Sequence, residues 1–397
     1  MIVTPKSRGF ICATAHPEGC KADVKNQIEY MKSHPKTEGV KNALIIGASM
    51  GYGLSSRIAC AYSANAATLG VIFDKPAKGE KRTATAGWYN TAAFEEFAHA
   101  DNLYAKTING DAFSEEVKKK AIETIKNDLG QVDLVVYSIA APRRTTADGT
   151  TYNSVLKTVG EPYTNHTIDL RTNAITDVTI EPANDEEIEA TVKVMGGEDW
   201  EDWIKALSEA GVLADNATTV AYSYIGPSLT HAMYKEGSIG QAKKHLYKTA
   251  DEMNGKFNGL RALVSINKSV VTQASAAIPV LPLYIALVFK VMKEKGLHED
   301  TCEQIYRMMH DRIYAPDGPI TDENRFIRVD DYEMQPEIQA KISELWDEAT
   351  TENVKELGDI DGYWDAFFKI FGFGIDGVDY DKDIDIHVEI PDLIEMV

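Results

Sequence analysis

The chain has 397 residues, of which 44% are hydrophobic and 26% charged, and its formal net charge is −20. This length is sufficient for a large buried core, and the composition is ordinary for a globular protein. The acidic balance argues against nucleic acid as a partner, because phosphate contacts need clustered Lys and Arg.

Strand and helix patterns alternate through the first part of the chain. Residues 1–40 form an arm with a helix predicted near 21–32, and helices are also predicted at about 52–65 and 114–128. Core strands are predicted at 42–46, 67–73, 104–108 and 132–138. This alternation indicates right-handed crossovers and a parallel sheet. We therefore predict an α/β fold with a Rossmann-type parallel sheet.

The alternation of strand and helix patterns ends after residue 144. Residues 145–215 contain Thr-, Asn- and Asp-rich turns, a hairpin and an acidic helix near 185–194, which we interpret as an insertion over the active-site mouth. Core strands resume at about 217–223 and 260–266. We predict a single decorated Rossmann domain over 1–397, with its core at about 40–144 and 216–295 and a mostly helical C-terminal extension at 296–397.

No signal for secretion or for a membrane anchor stands out. The uncharged segment 269–289 is long enough to span a bilayer, but Pro279 and Pro282 favour a strand end, a loop and then a buried helix. The N-terminus lacks the apolar core of a signal peptide, and neither the four cysteines nor His16, His231 and His245 have metal-binding spacing. We expect a soluble, cytoplasmic protein with no membrane partner and no metal.

The sequence A-L-I-I-G-A-S-M-G-Y-G-L at 43–54 reads as a buried strand, a glycine-rich turn and a helix start. Glycine allows close approach of a ligand to the backbone, and a helix N-terminus binds phosphate through free N–H groups. The spacing G-x-x-x-G-x-G differs from the common G-x-G-x-x-G fingerprint, so a tight strand-to-helix turn without a ligand is the alternative.

Asp74 ends the second predicted strand, about twenty residues beyond the glycine turn. An acid at this position accepts hydrogen bonds from the adenosine ribose hydroxyls and repels a 2′-phosphate, which favours NAD(H) over NADP(H). The alternative is a solvated acid at a strand end.

Tyr234 and Lys243 form a second candidate constellation. Rossmann-type reductases commonly pair Tyr with Lys, whose charge favours a more acidic phenol. Nine positions place the two on opposite faces of a continuous helix, so Tyr234 should precede a helix, with Gly237 breaking the chain and Ser238 as the cap. The alternative is a surface tyrosine with solvated lysines.

Several further motifs give the chain a specific resemblance. They are G-A-S-M-G-Y-G at 47–53, G-W-Y-N at 87–90, A-A-P-R-R at 140–144, M-G-G-E-D-W at 195–200 and F-G-F-G-I-D-G-V-D-Y at 371–380. Together with the Tyr-x8-Lys spacing, the chain resembles the trans-2-enoyl-CoA reductase family, also called FabV-type enoyl-[acyl-carrier-protein] reductases, over residues 1 to about 392. Ordinary short-chain dehydrogenases share the core but lack this spacing and the long extensions.

The resemblance implies NADH-dependent reduction of the C2=C3 bond of an enoyl thioester, carried by CoA or acyl carrier protein, in fatty acid synthesis, by a monomeric enzyme. It places catalysis on Tyr234 and Lys243 and substrate contact on Tyr224. It places the cofactor contacts on Gly47, Ala48, Ser49, Met50, Gly51, Tyr52, Phe73, Asp74, Asp111, Ala112, Ile139, Ala140, Lys243, Val270, Val271 and Thr272.

Two other functions use part of the same pattern. A carbonyl reductase of the short-chain type would use the same Tyr and Lys on ketones, and a regulator would bind NAD(H) without turnover. Basic patches for CoA phosphates are available either at Arg143 and Arg144 or at Lys290, Lys293 and Lys295, although helix-end lysines commonly interact only with the helix dipole.

Overall fold

A parallel sheet of eight strands organises the computed structural model, which describes residues 1–8, 11–272, 275 and 278–396. The strands are β1 (Ser7–Arg8), β2 (Ile11–Cys12), β3 (Asn42–Ile46), β4 (Ala67–Ile72), β5 (Ala105–Asn109), β6 (Val132–Tyr137), β7 (Arg143–Thr145), β8 (Thr151–Asn153), β9 (Tyr163–Asp169), β10 (Ala174–Ile180), β11 (Leu213–Ser223), β12 (Arg261–Ile266), β13 (Phe326–Arg328) and β14 (Leu393–Glu395). The order in the large sheet is β13-β12-β11-β6-β3-β4-β5-β14.

Helices cover both faces of this sheet. They are α1 (Pro17–Ser33), α2 (Gly51–Tyr62), α3 (Ala86–Ala100), α4 (Glu115–Asp128), α5 (Asp185–Met195), α6 (Glu198–Glu209), α7 (Ser228–His231), α8 (Ser238–Lys256), α9 (Leu281–Glu294), α10 (Thr301–Arg307), α11 (Pro336–Glu348), α12 (Val354–Leu357) and α13 (Ile360–Lys369), with a π-helical turn at Met308–Ile313. In the part of the chain that the structure describes, no helix has the length and apolarity needed to cross a membrane.

Side chains of the central strands alternate between two apolar clusters. Ala43 and Ile45 of β3 pack in one cluster with residues of α1, α2, α3 and α9. Leu44 and Ile46 face the other cluster, which contains residues of α4, α6 and α8. Successive side chains of a strand point to opposite faces, so a strand that is apolar throughout is buried on both sides. The predicted α/β parallel sheet is therefore confirmed.

The predicted core strands and helices are all present, with shifted ends. Helix α1 starts earlier than predicted because Pro17 occupies its first turn and His16 Nδ1 accepts the Gly19 N–H at 3.1 Å. Within 145–215, β9 and β10 form the predicted hairpin and α5 is the predicted acidic helix. The division into core, insertion and extension stays a prediction.

Two edge strands of the sheet were not predicted from the sequence. Strand β13 pairs with β12 and strand β14 pairs with β5, each over three residues. Three residues are too few to show a strand period, so only the paired neighbour identifies them. They extend both edges of the sheet with residues from the C-terminal region.

The order of the strands indicates where on the sheet a ligand crevice lies. Strand β3 lies between β4 and β6, whereas β4 and β5 follow β3 on one side before the chain crosses to β6 on the other. The strand order therefore reverses between β3 and β6, and in open α/β sheets ligands bind at the carboxyl ends of the strands at such a point.

A buried ion pair supports α2 beneath this crevice. Arg57 of α2 contacts Glu95 of α3 at 3.3 Å, and both side chains are fully buried. The same guanidinium donates to Thr107 Oγ1 and the Lys106 carbonyl, each at 2.8 Å. It fits because residue 70 is glycine, where a Cβ would lie 2.7 Å from Arg57 Nη1.

We expect Glu95→Gln to lower the free energy of unfolding by about 3 kcal/mol, because it leaves a buried guanidinium without its counter-charge. Urea denaturation measures this change. Glu29→Gln is the matched control, since Glu29 forms an exposed ion pair with Lys25 and its loss should change the free energy by at most about 0.5 kcal/mol. Equal effects of the two substitutions would contradict the role of the buried pair.

Candidate active site

Direct packing of backbone on backbone forms the turn between β3 and α2. A Cβ at Gly47, whose φ is +84°, would lie 2.2 Å from the Ser138 carbonyl oxygen after β6. A Cβ at Gly53 would lie 1.9 Å from the Gly47 carbonyl oxygen. Any side chain at these positions would separate the turn from β6 or from its own helix. The glycines are therefore required by the fold of the turn.

The first turn of α2 is open to an anion. Its N-cap is Met50, whose side chain makes no capping hydrogen bond, and its first turn has no acidic residue. The preceding loop is held in place because Asn90 Nδ2 donates to the Ser49 carbonyl at 3.1 Å. Uncapped N–H groups and the positive end of the helix dipole suit the diphosphate of a dinucleotide. The residues present at 47–53 fit this group.

The ends of β4 and β5 border the same crevice. Phe73 is 65% exposed and is therefore accessible to a ligand, while Asp74 is 9% exposed. Thr85 Oγ1 donates to Asp74 Oδ1 at 2.7 Å, and burial raises the pKa of this carboxyl against the hydrogen bonds of Ser49 and Thr85. Asp111 and Ala112 follow β5, as predicted from the sequence. Their contact with a cofactor stays a prediction.

A glycine hinge places Tyr234 against the start of α8. A Cβ at Gly237 would lie 2.3 Å from the Met233 carbonyl oxygen, and one at Gly240 would lie 2.6 Å from the Tyr234 carbonyl oxygen. Gly240 and Lys243 are three residues apart and share one face of α8. The loop that carries Tyr234 thus lies against the helix face that carries Lys243.

The predicted role of Ser238 as helix cap is wrong. Gly237 occupies the N-cap position, and no side chain caps α8. The Ser238 hydroxyl instead donates to the Val155 carbonyl at 2.6 Å and accepts the Lys157 N–H at 3.1 Å. It therefore ties the insertion to the hinge, a contact between distant segments that local sequence does not reveal.

Burial sets the charge state of the two candidate catalytic groups. It raises the pKa of Tyr234 to about 12 and lowers the pKa of Lys243 to about 8. The expected acidification of the phenol by lysine is thus not observed. The Lys243 ammonium donates to the Tyr222 carbonyl at 3.0 Å, which leaves its remaining protons for a ligand.

Tyr224 and Tyr234 come together although ten positions separate them. Their ring centroids are 5.2 Å apart with an interplanar angle of 77°, an edge-to-face contact. The Tyr224 hydroxyl donates to Glu333 Oε1 at 3.3 Å, and burial together with that carboxylate raises the pKa of the phenol well above its usual value. Both phenols are therefore neutral hydrogen-bond donors at neutral pH.

The segment after β12 closes the crevice on another side. Val270 and Val271 are buried, and Thr272 and Ser275 bond each other through backbone N–H and hydroxyl groups at 2.8 and 3.0 Å. Tyr52 reaches this segment, because its hydroxyl donates to the Lys268 carbonyl at 2.8 Å. Its side chain therefore holds the glycine turn and the β12 loop together, and its backbone remains the part available to a phosphate.

One basic patch considered for CoA phosphates is not available as predicted. Arg144 is buried, donates to the Lys193 carbonyl at 3.0 Å and pairs with Asp202 at 3.3 Å. In the second patch, Lys293 pairs with Asp359 at 2.6 Å and Lys290 with Glu294 at 3.3 Å. Arg143 and Lys295 are exposed and remain candidates.

A Rossmann-type sheet with a glycine turn at the switch point, two neutral phenols and a partly buried lysine defines a nicotinamide-dinucleotide-dependent reductase. Residues 82–314 match the family model described as the trans-2-enoyl-CoA reductase catalytic region. Residues 2–79 match the NAD(P)H binding domain of trans-2-enoyl-CoA reductase, and 321–384 match an enoyl reductase FAD binding domain. The chain belongs to the trans-2-enoyl-CoA reductase family.

Full-length relatives and solved structures belong to the same family. The chain is 54% identical over 396 residues to the trans-2-enoyl-CoA reductase [NADH] of Ruminiclostridium cellulolyticum, covering 99% of this chain and 100% of that one. It is 54% identical over 393 residues to the enoyl-[acyl-carrier-protein] reductase [NADH] of Flavobacterium johnsoniae, covering 98% and 99%.

The structure resembles the Clostridium acetobutulicum trans-2-enoyl-CoA reductase solved with NADH, with a TM-score of 0.95, 44% identity and coverage of 98% and 100%. It also resembles the Treponema denticola trans-2-enoyl-CoA reductase solved with NAD, with a TM-score of 0.94, 48% identity and coverage of 97% and 98%. The predicted family, fold class and enzyme class are confirmed.

The residues at 321–384 do not fit the flavin that the name of their family model implies. Helix α11 begins with Pro336, which has no N–H, and carries Glu337 in its first turn. The start of α13 is filled by Asp359, which accepts the Gly362 N–H at 2.9 Å. A diphosphate would meet negative charge at both helix starts, unlike at α2. We assign no flavin step to this chain.

Glu333 and Ser138 are the site residues that sequence reasoning missed. Ser138 contacts Gly47 through its backbone carbonyl. Such a contact does not depend on the type of side chain, so the sequence does not indicate it. Glu333 lies among many acids in the C-terminal extension, and only the fold distinguishes it as buried. A buried position could not be recognised without the partner strands and helices.

We expect Gly53→Ala to weaken NADH binding at least tenfold, because its Cβ would push the start of α2 away from Gly47 and displace the phosphate-binding N–H groups. Titration of NADH fluorescence measures the Kd. Gly255→Ala is the control, since a Cβ there meets no atom within 4 Å and the change should leave NADH binding unaltered. Unchanged binding by Gly53→Ala would contradict the role of the close turn.

Proposed function

We propose that this chain reduces the C2=C3 bond of trans-2-enoyl thioesters, such as crotonyl-CoA, to the acyl thioester with NADH as cofactor. The contact between two neutral phenols, Tyr224 directly after β11 and Tyr234 before α8, is the observation that carries the proposal. The names of the relatives and the NADH- and NAD-bound structural neighbours support the same reaction.

The chain's own residues bind and orient the two reactants. N–H groups at the start of α2 bind the cofactor diphosphate, and Asp74 accepts hydrogen bonds from the adenosine ribose. Lys243 binds the nicotinamide ribose with the protons that it does not donate to Tyr222. Val270, Val271 and Thr272 border the nicotinamide side. When bound, the reduced nicotinamide supplies a hydride to C3 of the enoyl group.

Two phenols stabilise the charge that develops on the substrate. Electron density moves to the thioester oxygen as C3 is reduced, and Tyr224 donates a hydrogen bond to that oxygen. One well-placed donor of this kind is worth about 3 kcal/mol of transition-state stabilisation. Tyr234 donates the proton that completes the saturated thioester, and its raised pKa keeps it protonated until then.

The finer assignments follow the family. The enzyme acts on CoA or acyl-carrier-protein thioesters in fatty acid synthesis, as a monomer in the cytoplasm, and the exposed Arg143 and Lys295 are the candidate basic residues for the CoA phosphates. These assignments remain predictions.

One assay tests the reaction against its alternatives. NADH oxidation is followed with crotonyl-CoA, with a ketone and with no acceptor, and then with NADPH in place of NADH. We expect turnover with crotonyl-CoA and NADH and much weaker turnover with NADPH, because Asp74 disfavours a 2′-phosphate. Turnover only with the ketone would indicate a carbonyl reductase, and binding without turnover would indicate a regulator.

We expect Tyr234→Phe to lower kcat by about a hundredfold with a small change in KM, because it removes the proton donor. Tyr224→Phe should lower kcat/KM by a smaller factor. Steady-state kinetics with crotonyl-CoA measure both. Tyr363→Phe is the control, since this buried phenol of α13 has a hydroxyl without a hydrogen-bond partner among the described residues. A kcat near wild type for Tyr234→Phe would refute the assignment.

We expect kcat/KM for NADH to fall as the pH rises through about 8, because burial lowers the pKa of Lys243 to about 8 and the ammonium is lost above it. Lys243→Arg should show lower activity without this alkaline decline, since guanidinium stays charged. Lys244→Arg, an exposed neighbour, should keep the decline. A decline that persists in Lys243→Arg would assign the titration to another group.

A further inference from the structure

A fully buried carboxylate from the C-terminal extension lies behind the substrate-side phenol. Glu333 follows β13 and precedes α11, and its side chain is 0% exposed. Burial of a carboxylate is costly unless its oxygens accept hydrogen bonds. The partners of Glu333 therefore indicate what the residue does.

Three side chains and one backbone group donate to Glu333. Tyr284 donates to Oε1 at 2.6 Å, and Ser269 donates its backbone N–H to Oε2 at 2.8 Å and its hydroxyl to Oε1 at 3.0 Å. Tyr224 donates to the same Oε1 at 3.3 Å. A carboxylate with this many donors acts as a fixed acceptor. Burial raises the pKa of Glu333, and the buried ammonium of Lys268 together with the hydrogen bonds from Tyr284 and Ser269 opposes that rise by favouring the ionised carboxylate.

The hydrogen bond from Tyr224 is the longest of the four hydrogen bonds to Glu333. It is also the one that must break when Tyr224 donates to the substrate. A phenol has a single proton, so Tyr224 cannot donate to Glu333 and to a thioester oxygen at the same time. When the Tyr224 hydroxyl donates to the substrate, Glu333 still accepts the hydrogen bonds from Tyr284 and Ser269. The carboxylate is thus never left without partners. Breaking the hydrogen bond from Tyr224 to Glu333 therefore costs little free energy.

The position of the Tyr224 phenol is fixed from two sides. A Cβ at Gly226 would lie 2.6 Å from the Tyr224 hydroxyl, so the turn at Gly226 packs directly on the phenol, and Glu333 holds the hydroxyl. The Tyr224 ring in turn meets the Tyr234 ring edge to face. A change at Glu333 therefore alters the placement of the donor pair.

We propose that Glu333 is a positioning residue that aims the Tyr224 hydroxyl at the substrate and thereby makes the C-terminal extension part of the active site. The inference rests on the proposed role of Tyr224 as donor to the thioester. Glu333 itself touches neither the substrate nor the cofactor. Its effect on the reaction passes through Tyr224.

A double-mutant cycle tests whether the effect passes through Tyr224. The four proteins are wild type, Glu333→Gln, Tyr224→Phe and the double variant, each assayed with crotonyl-CoA at saturating NADH. Saturation removes effects on cofactor binding that are transmitted through Ser269. We expect Glu333→Gln to lower kcat/KM about tenfold in the wild-type background and less than about twofold in the Tyr224→Phe background.

Asp330→Asn provides the matched control for the cycle. Asp330 is a buried acid in the same segment, and it binds Arg328 at 2.7 Å. Its substitution should change kcat/KM by the same factor in both backgrounds. A tenfold loss from Glu333→Gln that persists in the Tyr224→Phe background would overturn the inference, because a structural role of Glu333 is independent of the Tyr224 hydroxyl.

Tyr284→Phe provides a second test of the same inference if the Glu333→Gln variant does not fold. Without the 2.6 Å bond from Tyr284, Oε1 holds the Tyr224 proton more strongly, and kcat/KM should fall about threefold. This loss should disappear in the Tyr224→Phe background, and a loss that remains overturns the inference. Absence of any crotonyl-CoA-dependent turnover in wild type would refute the proposed function itself, a result distinct from an additive cycle in an active enzyme.

Discussion

Backbone packed directly on backbone at four glycines is the constraint on which this active site depends. Gly47 and Gly53 bring β3, the segment after β6 and the start of α2 within contact, and Gly237 and Gly240 bring the Tyr234 loop onto α8. Any Cβ at these positions would require the backbone to separate. The absence of a side chain at each of these four positions allows the neighbouring backbone segments to pack this closely.

The electrostatics of the site follow from burial. The phenols of Tyr224 and Tyr234 have raised pKa values because the charged phenolate would be poorly solvated, so both remain proton donors. The same burial lowers the pKa of Lys243, which keeps its ammonium only up to about pH 8. The Lys243 ammonium donates to the Tyr222 carbonyl and has further protons to donate.

The C-terminal region takes part in both the fold and the site. Strands β13 and β14 extend the sheet at its two edges, and Glu333 from the segment after β13 accepts hydrogen bonds from Tyr224, Tyr284 and Ser269. A single buried carboxylate thus joins the Tyr224 phenol to Ser269 in the segment after β12. In this chain the C-terminal region therefore contributes both to the sheet and to the surroundings of Tyr224.

The sequence by itself determined the parallel sheet, the glycine turn and the need for a hinge between Tyr234 and Lys243, because apolar runs, glycine spacing and helical periodicity are local properties. Local pattern did not reveal the two edge strands, the contacts of Ser238, the burial of Arg144 or the raised pKa of Tyr234. Each of these depends on which distant segments meet, and the desolvation of a side chain is defined only once they have met. Glu333 shows the difference most clearly, since only tertiary packing turns one acid among many into the acceptor that holds Tyr224.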